Sequence, residues 1–357
     1  MYKNIFNEWY MNFKSHKLFK SMVDTVEDSP FHREKNVGVH TDMVVNEYIQ
    51  RSPTQWTKQD FIGAIQCAIH DIGKPRCEEE VVRSDGSVYR RYKGHELMSQ
   101  RMFTDYILSN DGKELREYLD NSDIYNIGYI AQYHLPYQLG NERLEWIRQH
   151  LCHYGLEEIF IRCLRSDTYG RISDDAEEKH MRLENWITST YYGTQLKIQG
   201  YNENKTEVVL LVAPTGAGKS TYMKNNLNDY AAHSMDQLRL DWYDSNDYTA
   251  AFKMSCADNN FNNKAMKHFV ELVKEHDKVV VDNTNIKPKN RKKYLKNTSH
   301  HKVAVVFLTT YDTNYQRLLQ RTDKYIPMDV LDRMYWSLIL PSIGEVDEII
   351  MEIAYDE

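Results

Sequence analysis

The sequence predicts a multidomain chain, an all-α helical bundle followed by an α/β unit with a parallel sheet. Three observations carry this expectation. The 357 residues suffice for two or three domains, each with its own core. Residues 1 to about 190 show apolar spacing of helical period and almost no strand alternation. From about 200 the texture changes to short β-rich runs, "VVLLVAP", "KVVVDNT" and "KVAVVFLT", separated by helical segments. Continuous apolar runs in that arrangement belong to parallel strands covered on both faces. The polar stretch "GYNENKTE" reads as the linker, so the expected domains are 1–200 and 201–357.

Composition narrows the classes. Apolar residues make up 41% and charged residues 27%, the balance of a soluble globular protein. There is no run of 18 apolar residues, so no membrane span is expected. The start lacks the apolar core and cleavage site of a signal peptide. Five scattered cysteines without CxxC spacing read as reduced thiols in a cytoplasmic protein. A formal charge of −7 argues against a domain that holds nucleic acid by bulk charge, so any such binding is local. The candidate is "IKPKNRKKYLK" (286–296), with six basic residues and no acidic one; a solvated helix face is the competing reading.

The first-half elements follow in order. In "NVGVHTDMVVNEY", His40 lies in line with Val37, Val44 and Tyr48. "FIGAIQCAIHDI" repeats apolar residues at 61, 62, 65, 68, 69 and 72, and ends at His70-Asp71 before Gly73 and Pro75. "RSDGSVYRRY" reads as a hairpin. In "GHELMSQRMF", His95 aligns with Met98, Met102 and Phe103, and in "NIGYIAQYHLP" His134 follows Ile127, Ile130 and Ala131. Asp167 continues the stripe of Leu156, Ile159, Phe160, Cys163 and Leu164.

His40, His95, His134 and Asp167 thus stand where apolar residues are expected. One histidine on an apolar face is usually a satisfied core histidine, but a buried carboxylate without a partner is expensive. Four such intrusions on four helices point to one inward-facing cluster, the way bundles build metal sites; a metal-free structural bundle is the alternative. His70-Asp71 falls off the main stripe, beside the small Cys67 and Ala68, and is placed at the mouth of the cluster. The dipeptide alone is weak, since His276-Asp277 repeats it at what reads as an ordinary helix end. His153 reads as a bystander, while Lys74 is an open candidate for phosphate contact.

In the second half, "VVLLVAPTGAGKST" (208–221) reads as a buried strand, a glycine-rich turn and a helix. Backbone N–H groups in such a turn wrap phosphate oxygens, and the helix start adds a favourable dipole. Thr215, Gly216, Ala217, Gly218, Lys219, Ser220 and Thr221 form the nucleotide cradle. Lys219 would reach the β/γ-phosphates, and Ser220 would hold Mg²⁺. Ala213 stands where the motif has its first glycine. In "HSMDQLRLDWY", Asp236 and Arg239 are three apart. With the second strand ending beside the loop, Asp236 would face the γ-phosphate as a general base, which implies an acceptor hydroxyl. A helix N-cap is its alternative. "KVVVDNTN" ends in Asp282 and Asn285, where ligands gather on such sheets. "NYQRLLQR" sets Arg317 and Arg321 one helical turn apart before "TDKYIP", suited to a lid that clamps a phosphoryl group, or else to a solvated helix.

The run of "GAGKS", "SMDQLR", "DNTN…R" and "RLLQR…IP" resembles the 5′-hydroxyl polynucleotide kinase family over about residues 206–340. The resemblance implies that Lys219 and Ser220 serve ATP and Mg²⁺ and that Asp236 is the base on the 5′-OH. It gives Arg239 the neighbouring substrate phosphate, and Arg317 and Arg321 the γ-phosphate. Asp282 matches the family's strand-end aspartate, and Ala213 is the main departure. In the first half, the order His…His-Asp…His…His…Asp with "HDIGKP" resembles the HD phosphohydrolase superfamily. That implies one metal held by His40, His70, Asp71 and Asp167, with Asp71 bridging to a second held by His95 and His134. Such metals polarise a phosphate and activate water. An imidazole-rich site suits Mn²⁺, Co²⁺, Ni²⁺ or Zn²⁺ better than Mg²⁺.

Together the halves resemble the bifunctional HD-domain polynucleotide kinases, RNA end-healing enzymes with an all-α HD-type helical bundle followed by an α/β P-loop kinase. The resemblance implies ATP-dependent phosphorylation of 5′-OH ends and removal of 2′- or 3′-phosphate or 2′,3′-cyclic phosphate. Its partners would be ATP and RNA, or DNA, ends, with a ligase downstream and no membrane. Two alternatives stand beside it. One is a small-molecule or nucleoside kinase fused to an HD nucleotide hydrolase; the other is an NTPase with a non-catalytic HD RNA-binding module.

Overall fold

The computed structural model describes residues 1–29, 32–194, 196, 206–322 and 324–355. The chain forms two compact units, Met1–Lys197 and Ile198–Glu357. Most of the expected linker, residues 200–205, lies outside the described residues.

The first unit is helical, with two small hairpins. Its central element is the helix Lys58–Ile69, opened by a capping box in which Thr57 and Asp60 satisfy each other's backbone N–H. Every residue from Asp60 to Ile69 is buried. The helices Val37–Arg51, Asn121–Gln132 and Glu157–Tyr169 all pack on it, and His95–Leu108 packs on Asn121–Gln132. A helix apolar all round sits inside its domain, so it has no solvent-facing stripe from which His70 and Asp71 could depart. The turn that follows is tight: a Cβ on Gly73 would lie 2.5 Å from His95 O, and Gly73 N–H donates to Ser99 Oγ at 2.9 Å. Only glycine lets this turn lie directly on the start of the His95 helix.

The strand pairs are β1 (Val26–Ser29) with β2 (His32–Asn36), and β3 (Glu79–Val82) with β4 (Val88–Arg91), both antiparallel. The second is the hairpin expected around "RSDGSVYRRY". The first carries no apolar alternation and was not expected.

The second unit holds a five-stranded parallel sheet. Its strands are β5 (Glu207–Val212), β6 (Ala231–His233), β7 (Lys278–Val281), β8 (His301–Leu308) and β9 (Glu348–Ile353), in the order β6-β7-β5-β8-β9. Val209, Leu211, Val280, Val303, Val305 and Phe307 form one side of its core. The second strand, β6, lies at the edge with β7 between it and β5. Among the described residues, no helix is long and apolar enough to cross a membrane.

Candidate functional site

Six buried residues from five segments of the first unit meet around Asp71. His40 sits in the second turn of the Val37 helix, His70 and Asp71 directly follow the Lys58 helix, and His95 opens its own helix. His134 lies just past Gln132, and Asp167 is in the last turns of the Glu157 helix. Asp71 Oδ2 is 3.1 Å from His70 Nε2 and 3.7 Å from His40 Nε2, while its Oδ1 is 3.2 Å from His95 Nε2 and 3.8 Å from His134 Nε2. Asp167 Oδ1 stands 3.1 Å from His40 Nε2 and 3.8 Å from His70 Nε2. The carboxylate of Asp71 therefore divides the cluster into two halves. It is the hub, not the mouth: only 1% of the residue is exposed.

The imidazoles are oriented as metal ligands are. Nδ1 of His70, His95 and His134 hydrogen-bonds the carbonyl three residues back, on Cys67, Tyr92 and Ala131, at 2.7–2.8 Å. That fixes the tautomer with the Nε2 lone pair inward. His70 Nε2 and Asp71 Oδ1 are buried without a hydrogen-bond partner among the described residues. His40, His70 and Asp71, and separately Asp71, His95 and His134, each offer ligand atoms within 4.8 Å of one another. The donor set fits divalent ions of the imidazole-preferring kind.

Electrostatics follow the geometry. Burial pushes His134 down to about 3, helped by His95 and His70, so it stays neutral. Burial also opposes charge on His40, but the Asp167 and Glu34 carboxylates outweigh it and raise the ring to about 9. Asp71 is held well below the carboxylate range; burial works against this, and His70 and Lys74 prevail.

Four neighbours complete the site. Lys74, left open by the sequence, is buried, with Nζ 2.7 Å from Asp71 Oδ2 and 2.6 Å from Glu27 Oε1. Arg171 Nη2 meets Asp167 Oδ1 at 3.0 Å. Glu34 Oε1 accepts from Ile172 N–H at 2.7 Å and lies 3.5 Å from His40 Nδ1. Glu27 and Glu34 come from the unexpected β1–β2 hairpin and had no signal in the sequence; Arg171 was readable only as the i+4 partner of Asp167. His153 is exposed, beside the Tyr154 ring. A cleft of about 620 Å³ opens onto Asp71, His95, His134 and Asp167.

In the second unit the loop after β5 turns through Gly216 (φ +80°) and Gly218 (φ +101°) into the helix Lys219–Asn226. A Cβ on Gly216 would lie 2.8 Å from Asn314 O. Lys219 Nζ donates to Pro214 O at 3.1 Å, and Ser220 and Thr221 are exposed at the helix start. Thr215 and Ala217 are buried. Desolvation lowers Lys219 to about 8, partly offset by Asp282 and Asp236.

Asp236 follows the Ser234 cap of the helix Met235–Trp242, so the N-cap role belongs to Ser234. Its Oδ1 accepts from Arg239 Nη1 and Tyr248 OH, each at 2.8 Å, and Lys324 contacts Oδ2. Burial opposes its charge, but Lys324 holds it below the usual carboxylate range. Met235 N–H donates to Asn283 Oδ1 at 3.2 Å, which ties this helix to the end of β7 and so to Asp282. Burial, with Asp236 nearby, raises Asp282. Arg239 is packed over Phe252 and Phe261, with Nε on Ser255 Oγ.

The expected lid clamp divides. Arg317 lies on the helix Tyr311–Leu319 with Nη1 3.4 Å from Gly216 O, while Arg321 lies beyond the helix end, its charge acting on Lys219 and Asp282. Asn285 is structural: at φ +46° and buried, it donates to Leu211 O at 3.0 Å. So is Arg291, fully buried with Nε and Nη2 on Glu345 at 2.7 and 2.8 Å. The basic stretch presents five exposed lysines, 287, 289, 292, 293 and 296. Tyr248 and Lys324 are site residues the sequence reading did not single out.

A glycine-rich loop leaving the central strand of a parallel sheet makes the second unit a P-loop, kinase-like domain. Residues 208–340 match the AAA domain family. A solved gluconokinase from Sinorhizobium meliloti 1021 is 18% identical, covering 44% of this chain and 86% of its own, with a TM-score of 0.33. No curated protein matches the chain.

Proposed function

We propose that the chain is a bifunctional end-healing enzyme for RNA, phosphorylating 5′-OH ends with ATP in its second unit and removing 2′/3′-phosphate or cyclic phosphate in its first. The observation that carries the phosphate-removing activity of the first unit is the split environment of Asp71, one oxygen toward His40 and His70 and the other toward His95 and His134. In this reading His40, His70, Asp71 and Asp167 hold one divalent ion, and Asp71, His95 and His134 a second. Bound there, such ions supply Lewis acidity and an activated water. The protein orients the rings through backbone carbonyls, and Lys74 and Arg171 line the cleft as cations facing the substrate phosphate.

In the kinase-like unit Lys219 reaches the nucleotide phosphates, and Ser220 presents its hydroxyl to Mg²⁺. Asp236 orients the acceptor hydroxyl and takes its proton, exchanging its contact with Lys324 or Tyr248 for the substrate. Arg317 and Arg321 face the transferring phosphoryl group, and Asp282 stands beside Lys219. Arg239, one helical turn from Asp236, serves the next phosphate of a polymeric acceptor, and the exposed lysines of 287–296 give such a strand a basic surface. The test is to incubate end-labelled RNA bearing a 5′-OH and a 2′,3′-cyclic phosphate with ATP, Mg²⁺ and Mn²⁺, then analyse both ends. A 5′-phosphate and an opened or phosphate-free far end are expected. A 5′ end that stays unphosphorylated refutes the kinase assignment, and an intact cyclic phosphate refutes the other.

A further inference from the structure

We propose that Glu34 is a positioning residue for His40 and makes the two ion positions of the cluster unequal, the one on the His40 side being the tighter. This rests on reading the cluster as a divalent-metal site. The four rings sit differently in their helices. Cys67 and Ala131 lie in the last turns of theirs, where carbonyls lack a ladder partner, and Tyr92 precedes its helix. His70, His134 and His95 therefore bind Nδ1 to a local carbonyl. His40 stands inside the helix Val37–Arg51. There the carbonyl three residues back, on Val37, serves the helix ladder and also accepts from Thr41 Oγ1 at 2.9 Å. A partner for its Nδ1 has to come from another element.

That element is β2. Glu34 is 3% exposed, and its Oε1 stands 3.5 Å from His40 Nδ1. His40 Nδ1 is buried and has no hydrogen bond among the described residues, so the carboxylate lies just beyond bonding reach of it. Glu34 is itself held in place. Oε1 accepts from Ile172 N–H at 2.7 Å, directly after Arg171, the ion partner of Asp167, and Oε2 lies 3.5 Å from His32 Nδ1. Lys35, next in the strand, has φ +80°, a left-handed conformation that a lysine adopts only where the surrounding fold imposes it. A cation on Nε2 makes Nδ1–H a stronger donor and closes the remaining gap, and a carboxylate there raises the basicity of the ring. The half with His40, His70 and Asp167 thus has a carboxylate behind one ring. In the other half His95 and His134 are bonded to carbonyls, and Glu96 stays 3.9 Å from His95 Nδ1.

The test is equilibrium Mn²⁺ titration of the full chain without nucleotide, followed by the electron paramagnetic resonance of free Mn²⁺. Glu34→Gln keeps an acceptor for Ile172 N–H and removes the charge behind His40. The tighter of the two binding steps is expected to weaken at least about ten-fold, within the ~10–100-fold that an outer-shell partner is worth, and the weaker step to stay as in the wild type. In a His134→Ala background, which leaves the His40-side ion alone, Glu34→Gln is expected to cause the same loss. Glu34→Asp keeps the charge but withdraws it by one methylene, and is expected to bind between wild type and Glu34→Gln. An unchanged titration of Glu34→Gln, equal weakening of both steps, or a loss confined to the weaker step overturns the proposal. So does a Glu34→Asp chain that binds more weakly than Glu34→Gln, which assigns the effect to packing. A wild-type chain that binds no Mn²⁺ refutes the metal reading and the proposal with it, whereas a wild type that binds two ions alongside an unaffected Glu34→Gln chain refutes the proposal alone.

Discussion

The Nε2 atoms of His95 and His134 face each other across 3.2 Å, while Nδ1 of each ring is bound to a backbone carbonyl. Two neutral rings so held direct lone pairs at one another, an arrangement relieved by a proton or by a shared cation. Burial opposes charge on His95, but Asp71 outweighs it and raises the ring. Asp71 serves both halves of the cluster. His134→Ala is therefore expected to lower bound Mn²⁺ from two ions per chain to one, and Asp71→Ala to lose both. Elemental analysis after gel filtration measures this, and full occupancy in Asp71→Ala would remove that residue from the ligand set.

Asp236 and Arg239 are bonded to each other and differ in what they predict. As a base, Asp236→Asn costs on the order of 10²–10⁴ in turnover with ATP affinity nearly unchanged. Arg239→Ala weakens acceptors that carry a phosphate next to the 5′-nucleoside and spares those that lack it. Arg239→Lys recovers only part, since a point charge does not replace the planar fork. Steady-state kinetics on matched acceptors separates the roles. Equal losses on both acceptors point to a small-molecule kinase.

The basic stretch divides by burial. Arg291→Ala leaves Glu345 buried and uncompensated, and is expected to destabilise the second unit by about 3–5 kcal/mol, read from urea unfolding. Lys289→Ala and Lys293→Ala leave stability unchanged and each lower the salt slope of RNA binding by about one. An unchanged slope would show that the strand runs elsewhere.

His233 contributes to the pH dependence of the second unit's stability. It is fully buried against Phe269 and Tyr294, and burial, with His268, pushes it down to about 3. An unfolded histidine titrates near 6.5. Between those values the unfolded chain binds more protons, so stability falls as pH drops from about 6.5 toward 3. His233→Asn should flatten that slope in pH-dependent unfolding. An unaltered slope would assign the acid sensitivity to other groups.

The residues legible in the sequence were those that broke a pattern. His40, His95, His134 and Asp167 interrupt apolar stripes, and the glycines around Lys219 have few uses besides a phosphate loop. What stayed hidden came from tertiary packing. Glu27 and Glu34 lie on short charged strands with no periodicity, and reach the cluster only because the β1–β2 hairpin folds beside it. His70-Asp71 read as peripheral because a helix buried on all sides has no single stripe to depart from. Arg291 read as one charge among six, yet its side chain turns inward to Glu345 while its neighbours stay in water.

The most direct test of the account is end analysis of RNA carrying a 5′-OH and a 2′,3′-cyclic phosphate, using Lys219→Ala and Asp71→Ala proteins side by side. The two residues belong to separate compact units. Lys219→Ala is expected to leave the 5′ end unphosphorylated while still processing the cyclic phosphate, and Asp71→Ala to do the reverse. Loss of both activities in a folded Asp71→Ala protein would contradict two independent sites on one chain.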